Sequence, residues 1–175
     1  MFPIPWIGHT YILYFVLVAP MSLNKILVVI DPTMETQPAF ERALESATLT
    51  GARLHLYLCS PEQGWTGKLE DMLARAAEIG IEAVSEHEDA ADWRRHVVAA
   101  AARCSASMVF KNSFEHRDVQ RELNATSDWM LLRTCHCPVL LIKDFRDWKS
   151  RKVLAAINTA STDQAHIKLN NQIVS

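Results

Sequence analysis

Ile26-Leu-Val-Val-Ile30 is a run of five apolar residues, four of them β-branched, closed by Asp31-Pro32. β-branched side chains favour an extended backbone. A run with no polar alternation leaves no face for water, so the strand must be covered on both sides, as in the parallel sheet of an α/β protein. Pro32 has no N–H for a sheet ladder and ends the strand. The rest of the chain must then supply covering helices, and its periodicity does so. Ala39, Phe40, Ala43, Leu44 and Ala47 recur at helical spacing, with Gly51 as the helix end. Leu54 to Cys59 predicts a second strand, and Pro61 and Gly64 mark a loop. Leu69, Met72, Leu73, Ala76 and Ala77 predict a second helix closed by Gly80. A third strand is expected from Ile81 to Val84, leading out to the charged Glu86-His-Glu-Asp89. Trp93, Val97, Val98, Ala101 and Ala102 predict a third helix, and Ser107 to Lys111 a fourth strand. Thr126 and Ser127 are expected to cap a fourth helix bearing Trp129, Leu131 and Leu132. Pro138 to Ile142 predicts the fifth strand.

Strands alternating with helices imply right-handed crossovers and a five-stranded parallel sheet with helices on both faces. In such sheets ligands bind beyond the carboxyl ends of the strands, where the strand order reverses. That directs attention to residues 31–36 after the first strand and 111–127 after the fourth. Composition agrees with a folded domain. The 175 residues are 49% hydrophobic and 22% charged, globular rather than disordered or fibrous, and long enough to bury a substantial core. A net charge of −2 excludes a chain built mainly to grip nucleic acid. Cys59, Cys104, Cys135 and Cys137 are too few and scattered for a disulfide framework; reduced thiols in a cytoplasmic protein are expected.

The two ends depart from this pattern. Met1 to Asn24 holds no Asp, Glu, Lys or Arg, and Tyr11 to Ala19 is nine unbroken apolar residues. A secretory signal would need a basic start, missing here, and a better cleavage context than Pro20-Met21. A membrane span needs about 20 apolar residues; Ile4 to Ala19 falls short, with Pro5, Gly8, His9 and Thr10 weakening its first half. Residues 1–20 are therefore expected to be an apolar extension outside the fold, with a domain at 22–144 and a charged linker at 145–151. Lys152-Val-Leu-Ala-Ala-Ile-Asn158 then repeats the pattern of Lys25 to Asp31: a basic residue, five apolar residues, then Asn or Asp. Residues 152–175 are too short to bury a core and are expected to be the start of a truncated second domain.

The chain resembles the universal stress protein family, and within it the tandem-domain E type. The resemblance runs from Leu23 to about Asp144, with a second copy opening at Lys152. It is carried by Lys25 to Asp31, Pro38-Ala39, Glu41-Arg-Ala43 and Gly51-Ala52. Its most specific part is Ser127-Asp-Trp-Met-Leu-Leu-Arg133 followed by Cys137-Pro-Val-Leu-Leu-Ile142. It implies a Rossmann-like sheet of order 3-2-1-4-5 and pairing through the fifth strand, here as a homodimer. Either Val139 and Leu141, or Leu140 and Ile142, would lie in the contact.

Many members of the family bind ATP through G-x-x-G-x9-G-[ST] between the fourth strand and fourth helix, where glycines let backbone amides approach phosphate. Carried onto this chain, the glycine positions are Asn112, Glu115 and Ala125. All three glycines are replaced, and Glu115 sets a carboxylate where phosphate would sit. Thr126 keeps the motif's last hydroxyl. Asp31 matches the acidic residue that faces the nucleotide in binding members; otherwise it is a strand-end cap. If nucleotide binds at all, Asp31, Asn112, Thr126 and Ser127 are the residues to hold it; otherwise Asn112 and Thr126 are a turn and a cap residue.

Other clusters are weaker. Cys135-His136-Cys137 has metal-ligand residues, but a tetrahedral zinc site takes four and no second pair sits at a usable spacing, so packed thiols and no metal are expected. Glu86 to Asp89 reads as a charged strand exit rather than a cation site, and Arg94-Arg95-His96 as the wet face of the third helix. No G-x-S-x-G, H-E-x-x-H or Walker pattern occurs, so no catalytic residue is assigned. The expected function is that of a non-enzymatic stress-response binding or interaction module without a cofactor. The alternatives are an ATP- or nucleotide-binding switch and a form tethered to membrane by residues 11–19.

Overall fold

The computed structural model describes residues 22–61, 64–90, 92–113 and 121–143, together with 164, 167 and 168; of 121–127 it describes the backbone alone. Nine elements follow in chain order: β1 (Lys25–Ile30), α1 (Pro38–Thr50), β2 (Arg53–Cys59), α2 (Thr66–Glu78), β3 (Ala83–Glu88), α3 (Trp93–Arg103), β4 (Met108–Asn112), α4 (Arg121–Thr134) and β5 (Val139–Ile142). The five strands form one sheet of order β3-β2-β1-β4-β5, and each neighbouring pair is parallel. This is the expected architecture.

The apolar run in β1 explains the layering. Successive side chains point to opposite faces, so Ile26, Val28 and Ile30 join Phe40, Leu54, Leu56, Leu58 and Phe110 under α1 and α2. Leu27 and Val29 join Tyr57, Val109, Val97, Ala100 and Leu131 under α3 and α4. The helix ends also follow from chemistry. Gly51 caps α1 in the left-handed region at φ 73°, its N–H donating to the Ala47 carbonyl. Past α3 the corresponding position is Ser105, at φ 53°, held while the Ala106 N–H donates to the Ala101 carbonyl at 2.9 Å.

Four expectations are corrected. The third strand is displaced: Ile81 is buried ahead of it, and Ala83–Glu88 forms it. Glu86 and Glu88 are therefore strand residues and not a strand exit, tolerated because β3 lies at the sheet edge and, among the described residues, pairs only with β2. The fourth helix starts at Arg121, so Thr126 and Ser127 lie inside it rather than at its start. Ala125 and its neighbours favour a helix where glycine would have interrupted one. His96 is half-exposed and more than a solvated residue: its Nδ1 bonds the Glu88 carboxylate, while Arg95 is exposed. On β5, Ile142 is buried, Leu140 packs on the core under α1 and α2 and Val139 on the core under α3 and α4, so neither expected pair is left wholly free; Leu141 is half-buried.

The expectations for residues 1–20, for the linker 145–151 and for the repeat from Lys152 fall outside the described residues. The segment Asp144–Ser175 is a unit of its own, in which Gln164, Ile167 and Lys168 are helical and exposed. Among the described residues, no helix is long and apolar enough to cross a membrane.

Candidate functional site

In this strand order the direction of winding reverses between β1 and β4, and the crevice at their carboxyl ends is where an α/β sheet places a ligand. Asp31 leaves β1 there. Its Oδ1 accepts from the Thr33 N–H at 2.8 Å and from the Thr33 hydroxyl at 2.6 Å, the local turn that an aspartate makes with its own backbone. This matches the strand-end cap reading of Asp31.

Gln37, the residue before α1, makes no side-chain bond to its own helix. It turns into the crevice instead. Its Oε1 accepts from the Asp31 N–H at 3.1 Å and from Asn112 Nδ2 at 2.9 Å. Its Nε2 donates to the carbonyls of Asp31 at 2.7 Å and Met34 at 3.1 Å. Asn112 completes the chain: its Oδ1 accepts from the Ala39 N–H at 2.7 Å. That N–H belongs to the first turn of α1, where backbone donors lack intrahelical partners, so Asn112 caps α1 from 73 residues away. Gln37 is 4% exposed and Asn112 2%. Asn112 is thus the last residue of β4 and not a turn residue, a correction to one of its two expected roles. Two neutral amides meet at the carboxyl ends of β1 and β4, hydrogen-bonded to each other and to the backbone.

On the other face of β4, Lys111 Nζ pairs with Asp128 Oδ1 at 3.0 Å, both side chains largely buried. It also donates to the Asn112 carbonyl at 2.8 Å and lies 5.0 Å from the centroid of the Trp93 ring. The Ser113 hydroxyl donates to Asp128 Oδ2 at 3.3 Å. A lysine at the end of this strand could meet a phosphate, but Asp128 already neutralises it.

Of the four candidate nucleotide ligands, Asp31 and Asn112 are brought together through Gln37. Thr126 and Ser127 lie within α4, and their side chains, like Glu115, are outside the described residues. Sequence reasoning did not single out Gln37, Lys111 or Asp128. Lys111 was visible as the one charge in β4, and Asp128 as part of the most specific motif. Gln37 carried no signal beyond its place before Pro38.

Two further clusters lie outside this crevice. At the β2–β3 edge, the buried Tyr57 hydroxyl donates to Glu88 Oε2 at 2.5 Å, and His96 bonds the same carboxylate. Arg103 pairs with Glu86 and Glu88, and His55 Nε2 lies 2.9 Å from Glu86. Burial, reinforced by Glu88, pushes the Tyr57 phenol far above its ordinary range; the bonds from Tyr57 and His96 hold Glu88 below its own. Between α4 and β5, Cys135 Sγ lies 3.7 Å from Cys137 Sγ. Burial and the neighbouring thiol push Cys137 up to about 12. All four cysteines are free thiols.

No family model matches the chain. A universal stress protein E of Photorhabdus laumondii is 27% identical over 176 residues, covering 87% of this chain and 56% of the relative. The chain thus spans about half the length of the curated relatives it matches. A functionally unknown protein of Pseudomonas aeruginosa PAO1 superposes with a TM-score of 0.79 at 28% identity, over 90% of this chain and 56% of that one. A universal stress protein in complex with cAMP superposes at 0.59 with 17% identity, over 70% of this chain and 98% of that one, a likeness of fold.

Proposed function

We propose that this chain, which belongs to the universal stress protein family, is a non-enzymatic stress-response interaction module whose nucleotide crevice is closed by its own side chains. The observation that carries this reading is the Gln37–Asn112 pair at 2.9 Å. It fills the reversal point of the sheet and uses the α1 amide that a ligand could otherwise meet. The replaced glycines support the same reading, since position 125, a glycine in the motif, lies here within a helix that runs from Arg121. The free thiols support a reducing, cytoplasmic setting. The strand β5, paired on one side only among the described residues, supports a homodimer through that strand.

Calorimetric titration of the full chain with ATP and Mg²⁺ tests the reading. No saturable heat is expected up to about 1 mM, a binding free energy weaker than about −4 kcal/mol. Micromolar binding would overturn it in favour of a nucleotide switch. That second reading draws support from the structural neighbour that holds cAMP, and there Asp31 and Lys111 would be the contacts to mutate.

A further inference from the structure

We propose that the turn joining α4 to β5 is a site for one zinc-class divalent ion, held by the Sγ atoms of Cys135 and Cys137 and a ring nitrogen of His136. The ligand atoms of these three residues all lie within 4.8 Å of one another. The Sγ–Sγ separation of 3.7 Å is the one that a tetrahedral ion imposes: two Zn–S bonds of about 2.3 Å at a tetrahedral angle place their sulfurs about 3.8 Å apart. The thiols would need little movement to become a chelating pair. Thiolate and imidazole are the ligand types that favour zinc over the hard, oxygen-seeking calcium and magnesium.

The local structure holds the pair in place. The Cys135 N–H donates to the Leu131 carbonyl at 2.9 Å as the last turn of α4 closes. Cys135 and Cys137 then pack against the apolar cluster under α3 and α4. His136 between them is exposed, free to rotate onto an ion arriving from solvent. The negative end of the α4 dipole lies beside the site and favours a cation. Cys104 packs on the same cluster, but its thiol donates to the Ala101 carbonyl at 3.6 Å and stands apart from the three-residue group. Three protein ligands leave the fourth position to water or to a donor from outside, the arrangement of an exchangeable rather than a purely structural site. On binding, each thiol gives its proton to solvent and the ion takes its place.

The test is titration of the full chain, kept reduced with a phosphine, with Co²⁺ as a spectroscopic probe and then Zn²⁺. One equivalent of Co²⁺ is expected to give thiolate charge-transfer bands and the intense visible bands of tetrahedral cobalt, both erased by one equivalent of Zn²⁺. The Cys135→Ser/Cys137→Ser variant is expected to lose the charge-transfer bands. His136→Ala, at an exposed position with little bearing on folding, is expected to weaken Zn²⁺ binding at least about tenfold, the lower range seen on losing even an outer-shell partner. The wild-type titration needs no variant to fold. Absence of the bands in the wild type, their persistence in the double serine variant, or unchanged affinity in His136→Ala would each overturn the site.

Discussion

The crevice between β1 and β4 and the edge between β2 and β3 both join strands to a helix with side-chain hydrogen bonds, yet they are built from opposite chemistry. In the crevice the bonding groups are neutral amides, Gln37 and Asn112, almost wholly buried. At the edge they are charges: Glu86 and Glu88, both part-exposed, with Arg103, His55 and His96 against them. The difference follows from depth. Burying a neutral amide costs little once all its bonds are made, whereas burying a charge is expensive even when it is paired. The neutral pair can therefore sit at the centre and fix geometry. The charged set stays where water shares the load, and it responds to pH and salt.

The largest effect is expected at the crevice. Asn112→Ala leaves the Ala39 N–H and Gln37 Oε1 each short of a bond in a buried setting. At about 1–3 kcal/mol for the orphaned Ala39 N–H and about 1 kcal/mol for the lost bond to Gln37 Oε1, which keeps its bond from the Asp31 N–H, the loss is about 2–4 kcal/mol, a fall in Tm of roughly 10 °C. Because every group is neutral, the loss should be the same at low and high salt. Thermal unfolding that shifts by less than about 0.5 kcal/mol would mean the amides do not hold the crevice shut.

Tyr57→Phe comes next, at about 1 kcal/mol near neutral pH, because a bond to a carboxylate is lost but Glu88 can still reach water. Its pH signature separates the edge from the crevice. The phenol's pKa is raised in the folded state from an ordinary 10.0, so its contribution is fully present below pH 10 and is lost as pH rises above that value. The folded pKa of Glu88 is lowered, so its contribution is present above the ordinary carboxylate range and is lost as pH falls through it. Denaturant unfolding across pH should therefore show the wild type losing its advantage over Tyr57→Phe at both extremes. Parallel curves for the two proteins would contradict the assignment.

The smallest effect is expected for Arg103→Ala. Its side chain is half-exposed, and exposed ion pairs contribute about 0.2–1 kcal/mol. The difference should disappear in about 1 M salt, where charges are screened within about 3 Å. A loss above about 1.5 kcal/mol that persists in high salt would place this pair with the buried kind.

Much of the fold was legible before any coordinates. The apolar run of β1 announced a strand covered on both faces, and helical spacing located α1, α2 and α3. The loss of glycine at Asn112, Glu115 and Ala125 announced a changed loop. What could not be read was how the chain filled it. Asn112 resembled a turn residue because nothing within a few positions indicates its bonds to Ala39 and Gln37, 73 and 75 residues away. His96 resembled a solvent-facing helix residue because Glu88 reaches it only once β3 has paired with β2. Even the start of α4 was misplaced, since two capping residues in sequence carry no sign that the helix continues ahead of them.

Periodicity and residue type record which side of an element is apolar, because burial acts on each side chain nearly alone. They therefore determined the alternation of strands and helices, the two-faced core and the absence of a glycine loop. Partnership between polar groups depends on register. Val29 lies beside Lys111 in the sheet, so β1 and β4 end level, at Ile30 and Asn112, and Asn112 meets the start of α1 there. Only the assembled sheet decided that Gln37 and Asn112 would meet at 2.9 Å. Their meeting depends on positions in space that distant strands and a helix end set together.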